Sequence, residues 1–181
     1  MSDNTITNII NEIDERGSLD PDHIPELDLY MDQIMTLFDQ YLGAHKRNDD
    51  DKIITKTMIN NYSKEGVLKP IKGKKYTKEH IIELLVIYSL KNTITIQEIK
   101  RLMEPVRERE IAIEPIYQNF LDMMNPIIEA HSKNLINLIE ENYTESPEDL
   151  LSILLIICSI SNYYESIAEK IIDTFYPEIK K

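Results

Sequence analysis

Four residues, Thr95-Ile96-Gln97-Glu98, constrain the architecture of this chain more than any other stretch of the same length. A threonine followed three positions later by glutamate forms a capping box. Each side chain accepts a hydrogen bond from the other residue's backbone N–H, which satisfies two donors orphaned at a helix start. Ile94 and Ile99 stand where a hydrophobic staple closes over that turn, so a helix is predicted from Ile96, with Pro105 breaking it after about Glu104. The same punctuation recurs along the chain. Thr77 and Glu79 open an apolar period of Ile81, Ile82, Leu84, Leu85, Tyr88 and Leu90 that runs to Asn92. Ser146, Pro147, Glu148 and Asp149 open another that reaches Tyr176 before Pro177. Thr55 caps a shorter helix with Met58, Ile59 and Tyr62 inward, and Gly66 ends it as the left-handed residue. Four glycines, eight prolines and no tryptophan in 181 residues complete the picture of a mostly α-helical protein with little sheet.

Between these elements the signals are weaker. Ile6, Ile9, Ile10 and Ile13 precede Gly17 at helical spacing, and "SLDPDHIP" after them reads as a linker, so residues 1–26 are expected to be a short docking helix with its tether. Leu27, Tyr30, Met31, Ile34, Leu37, Phe38 and Tyr41 predict an amphipathic helix ending near Gly43, and "AHKRNDDDK" is a polar loop. "VLKPIKGKKY", with Pro70 and Gly73, reads as a small β-hairpin. A domain is expected over 27–104 and a separate helical region over 105–181. In that region Tyr117, Phe120, Leu121 and Met124 precede Pro126, and Ile127, Ile128, Leu135, Leu138 and Ile139 follow it. One helix kinked at Pro126, or two in succession, would pack antiparallel to the last one.

Charge is segregated. From Lys52 to Lys78 there are eight lysines and one acid, Glu65, a balance of +7 that leaves −19 for the rest of a chain whose formal charge is −12. Screening over about 8 to 10 Å lets such a patch act locally despite the overall sign. A single cysteine, Cys158, excludes an internal disulfide, and its run "LLSILLIICSI" reads as buried core, too short to span a bilayer. "MSDNTITNII" lacks the features of a signal peptide, and a cytoplasmic location is expected. His23, His45, His80 and His131 are scattered without metal-ligand spacing, no Gly-rich phosphate loop occurs, and no nucleophile stands with a base. Neither a metal, a cofactor nor an enzymatic activity is expected.

The order helix, loop, short polar helix, lysine hairpin, then two capped helices resembles a winged helix-turn-helix of the MerR regulator type. "MINNYSKEGVLKP" resembles that family's recognition-helix stretch, and "KKYTKEHIIELLVIYSLKNTITIQEIKRLM" its wing tyrosine and following helices. Taken together, "LYMDQIMTLF", "ITKTMINNY", "KKYTKEHI" and "LKNTITIQEI" closely resemble the bacterial family known as domain of unknown function 1836, whose members are presumed helix-turn-helix proteins. The likeness covers about residues 27–104. It implies a fold of MerR-like winged helix-turn-helix with a small β-hairpin wing, followed by long antiparallel helices. Where MerR regulators carry an arginine and a tyrosine before the aromatic that aligns with Tyr62, this chain has Asn60 and Asn61.

Double-stranded DNA is the expected partner. Asn60 and Asn61 are candidates to read adenine edges, Thr55, Lys56, Thr57 and Lys64 to hold flanking phosphates, and Lys69, Lys72, Lys74 and Lys75 to grip phosphate from the wing. Tyr76 either contacts DNA or anchors the wing in the core. A DNA-binding transcriptional regulator is therefore expected, working as a homodimer through its last helix, with a protein partner or small-molecule effector at the C-terminal region and no membrane. The alternative is a protein-interaction module on the same scaffold, an adaptor or anti-regulator that does not bind DNA, which the acidic Asp49, Asp50 and Asp51 motivate.

Overall fold

A computed structural model describes residues 5–144 and 146–178. The chain is mainly helical: α1 (Ile6–Asp14), α2 (Met31–Leu42), α3 (Lys56–Lys64), α4 (Lys78–Leu90), α5 (Ile96–Glu108), α6 (Ile113–Asn142) and α7 (Pro147–Phe175). Two short strands, β1 (Leu29–Tyr30) and β2 (Lys75–Tyr76), pair antiparallel with Leu29 opposite Tyr76 and Tyr30 opposite Lys75. The contacts divide the chain into two compact units, residues 17–121 and residues 1–16 with 122–181. These boundaries differ from those expected at 26 and 104.

The helix starts follow the side chains that cap them. Thr95 Oγ1 accepts from Glu98 N at 3.3 Å, while Glu98 Oε2 accepts from Thr95 N at 2.7 Å, and Ile94 and Ile99 are buried beside that turn. Thr55 Oγ1 accepts from Met58 N at 3.1 Å, and Ser146 Oγ accepts from Asp149 N at 3.2 Å with Pro147 opening α7. Pro105, however, does not end α5. Its ring removes only one donor, and the turn beyond it is held by Arg107, whose guanidinium is bound to α4 and to the chain after α3. Pro126 likewise lies inside an unbroken α6.

In the unit 17–121 the core gathers around α4. Ile81, Ile82, Leu84, Leu85 and Ile87 are each at most 1 % exposed, and a helix apolar on all sides must sit in the middle of its unit. Ile34, Phe38 and Leu42 of α2, Ile59 and Tyr62 of α3, and Ile99 and Met103 of α5 bury their apolar stripes in the same core. The expected linker belongs to it as well, since Leu19 and Ile24 are buried and Pro21–His23 forms a turn of 3₁₀ helix. From the other end of the unit come Ile113, Tyr117 and Leu121. Burial, with the Asp20 carboxylate adding, pushes the Tyr117 phenol up to about 12.

Two other expectations are corrected. The helix read from Leu27 begins at Met31, because Leu29 and Tyr30 pair as β1 and Tyr30 N donates to Gln33 Oε1 at 2.8 Å in the first turn of α2. Leu27 is 78 % exposed. The lysine stretch does not fold back on itself as a hairpin; its strand residues 75–76 find β1 as partner.

In the unit of residues 1–16 with 122–181, Thr5 caps α1, and Ser132 Oγ donates to Asp14 Oδ1 at 2.8 Å. The His131 and Tyr164 rings approach to 5.9 Å, eleven residues before the end of α6 and seventeen after the start of α7, so the middle parts of the two helices meet. Cys158 and most of α7 are exposed, against the expectation of a buried helix. Of the described residues of α7 only Ile153 and Ile172 are buried, and Ile139 of α6 is buried in the same unit.

The Thr95 cap carries two expected outcomes. Thr95→Ala should lower stability by about 1 kcal/mol at neutral pH, the usual worth of an N-cap, in urea unfolding. Hydrogen bonds from the Thr95 hydroxyl and backbone, with Arg101 adding, hold the Glu98 carboxyl below its ordinary value of 4.5. Its contribution is therefore full above that value and is lost as pH falls through it toward the lowered one. Glu98→Gln should flatten that part of the stability curve.

Candidate nucleic-acid interface

The residues of α3 divide into two faces. Ile59 and Tyr62 point inward. At 100° per residue, Lys56, Asn60, Lys64, Thr57 and Asn61 follow one another around the opposite side, and all five are exposed. Thr55 is half-buried, with its hydroxyl oxygen accepting in the cap. Burial pushes the Tyr62 phenol up, consistent with its inward position.

The helix ends in a Schellman motif. Gly66 has φ of +71°, Val67 N donates to Tyr62 O at 2.9 Å and Gly66 N to Ser63 O at 3.2 Å. Val67 and Leu68 are then buried, which pins the chain as it leaves α3. The lysine loop starts from that anchor, turns at Gly73, whose φ is +75°, and ends on Tyr76, 4 % exposed, with its ring edge-on to His80 at 6.1 Å. Tyr76 is thus packed in the core and leaves little of its surface to solvent.

The lysines are not equivalent. Lys69 is paired with Glu79, and Lys78 bridges Glu26 at 3.0 Å and Glu114 at 3.1 Å, hydrogen bonds that raise its pKa. Lys56 pairs with Asp32 at 2.6 Å, but both side chains are more than half exposed, so the pair is worth under about 1 kcal/mol and yields readily to another anion. The Lys75 ammonium lies 5.4 Å from the centroid of the Tyr30 ring. Lys64, Lys72, Lys74 and Lys75 have no carboxylate within ion-pair distance among the described residues. Of the lysines expected to meet phosphate, Lys64, Lys72, Lys74 and Lys75, with the weakly paired Lys56, are therefore not committed to carboxylates of the fold. Residues 17–121 hold fifteen Lys and Arg against seventeen Asp and Glu, a balance of −2, so −10 of the −12 belongs to the other unit.

Behind this surface lies a buried ionic knot that sequence reasoning missed. Glu83, 1 % exposed, sits on the inner side of α4. Arg107 grips it through Nε to Oε1 at 3.3 Å and Nη2 to Oε2 at 3.1 Å, while Nη1 donates to Gly66 O at 2.9 Å and Nη2 also donates to Val67 O. Lys69 N completes the set by donating to Glu83 Oε2 at 2.8 Å. One guanidinium and one carboxylate thereby tie α4, α5, the exit of α3 and the start of the lysine loop. The available signal was Glu83 itself, the one charge in the otherwise apolar "IIELLVIY".

Beside the first turn of α1 and the last turns of α6 lies a cavity of about 360 Å³ lined by Thr5, Ile6, Ile139, Glu140 and Tyr143.

A protein-family model described as a domain of unknown function (DUF1836) matches residues 19–120, which is more than half of the chain. No curated protein and no solved structure matches it.

Removing one side of the knot strands a charge. Glu83→Ala or Arg107→Ala should cost roughly 3 to 5 kcal/mol in urea unfolding, and the Glu83→Leu/Arg107→Leu double variant should recover a large share of it, because no charge is then left unpaired.

Proposed function

The chain belongs to the DUF1836 family, and from that premise we propose that residues 17–121 are a MerR-like winged helix-turn-helix that binds double-stranded DNA and serves a cytoplasmic transcriptional regulator. The observation that carries this reading is the exposed face of α3, Lys56, Thr57, Asn60, Asn61 and Lys64, continued by Lys72, Lys74 and Lys75 on the loop that the buried knot holds in place. In this reading α2 and α3 are the helix-turn-helix pair and the loop from Lys69 to Tyr76 is the wing. Asn60 and Asn61 carry side-chain amides that can pair bidentately with adenine N6 and N7, and the lysines neutralise phosphates on either side. Recognition is split accordingly: amides select, ammonium groups bind.

The second reading is a protein-interaction module that does not bind DNA. It is favoured by Asp49, Asp50 and Asp51, which are exposed a few residues ahead of α3 and repel phosphate.

Fluorescence anisotropy with a mixed-sequence duplex separates the two. If about six phosphates are neutralised, affinity should fall roughly a thousandfold between about 50 and 200 mM salt. The Lys72→Glu/Lys74→Glu/Lys75→Glu variant should abolish binding at both. Asn60→Ala/Asn61→Ala should leave that nonspecific affinity nearly unchanged while relaxing sequence selection by about 1 to 3 kcal/mol per base pair read. Absence of binding at low salt, or a triple variant that binds as tightly as the parent, would reject DNA and leave the interaction module.

A further inference from the structure

The apolar surface of α7 is the largest feature that the DNA reading does not use. Within Leu150–Cys158 the one polar side chain is Ser152. Taking the buried Ile153 as origin and 100° per residue, Ile157, Leu150, Leu154, Cys158, Leu151 and Leu155 follow in order from about 40° to about 200° around the helix. The five leucines and isoleucines of that arc are 38 to 61 % exposed. One neighbouring helix covers a far narrower stripe than this. On the α6 part of the same unit Met123, Ile127 and Leu138 are 40 to 56 % exposed as well.

We propose that this surface is the interface with a second copy of the chain, the α6–α7 hairpin of one protomer packing on that of its partner as a four-helix assembly. The area suits it. The five exposed leucines and isoleucines of that arc with Met123, Ile127 and Leu138 of α6, at roughly 70 to 100 Å² each, offer on the order of 560 to 800 Å², against about 600 to 1,000 Å² per partner in a standard interface. The chemistry suits it too. From Leu150 to Tyr164 there is no charged residue, so the surface demands a partner with a similarly long uncharged face, and α7 of another copy is such a face. A two-fold axis lays the same patch on itself, which requires nothing from a second protein.

A bilayer is the poorer fit. α7 is long and apolar enough by length and composition to cross a membrane, but its uncharged run of fifteen residues spans only about 22 Å of a hydrocarbon core about 30 Å thick. Glu165, Glu169, Lys170 and Asp173 occupy the rest of the helix.

The proposal does not rest on the DNA reading, and the two fail separately because α7 lies outside residues 17–121. Sedimentation equilibrium of the full chain at micromolar concentration should give twice the protomer mass of 21.2 kDa. Leu151→Lys/Leu155→Lys should give the protomer mass with unchanged helix content, since both side chains already face solvent. Ser159→Lys, at the polar edge of the helix, should remain dimeric. A protomer mass for the parent at every concentration would overturn the proposal, as would a dimer that survives the double lysine variant. Co-sedimentation of the parent with phosphatidylcholine vesicles, lost in the double lysine variant, would assign the surface to lipid instead.

Discussion

A carboxylate buried inside an apolar helix organises the unit that carries the candidate interface. Moving an ion such as that of Glu83 out of water costs several kcal/mol unless its lone pairs are met. Here they are met by the Arg107 guanidinium and by the Lys69 backbone N–H. Because the same guanidinium also binds the carbonyls of Gly66 and Val67, α5 is locked to the point where the chain leaves α3. That single cluster holds the chain leaving α3 and the start of the lysine loop together. It also explains how α5 continues past Pro105, since its last turn is anchored from outside the helix.

The exposed face of α3 and the lysine loop are thus built on rigid supports at both ends. Val67, Leu68 and Tyr76 are buried, and the five positions from Lys56 to Lys64 that face outward do so because Ile59 and Tyr62 face inward. Lys69 and Lys78 meet carboxylates within the fold and serve its cohesion, while Lys56 meets Asp32 only at the exposed surface. Lysines without such a pair, Lys64, Lys72, Lys74 and Lys75, give the surface its charge. The acid excess lies mainly in the other unit, so the negative sign of the whole molecule says little about the local charge of residues 17–121.

Much of the fold was legible in the sequence because capping is local. The starts at Thr55, Thr77, Thr95 and Ser146 depend on side chains within three residues of the backbone groups they satisfy, and the inward faces of α3 and α4 depend on spacing alone. The candidate site was legible to the same extent: that Lys56, Asn60, Asn61 and Lys64 share a face follows from helical geometry. Which lysines are free does not, because Glu79, Glu26 and Glu114 reach them from 10, 52 and 36 positions away. The misread segments are those decided by distant partners. "SLDPDHIP" has the composition of a tether, yet Leu19 and Ile24 fill the core, and "KKY" pairs with β1 rather than with its own neighbours.

By itself, then, the sequence determined most of the helices, the starts capped at Thr55, Thr77, Thr95 and Ser146, and the pattern of charge along the chain, all of which follow from interactions spanning a few residues. Tertiary structure decided where a helix may run through a proline, which strand β2 joins, which lysines remain unpaired, and that Glu83 meets Arg107 across 24 residues. It also decided that α7, apolar enough to be read as core, presents most of its surface outward. The physical reason is the same in each case. Periodicity states what a side chain prefers to bury, whereas its actual burial depends on which surfaces the rest of the chain brings to it.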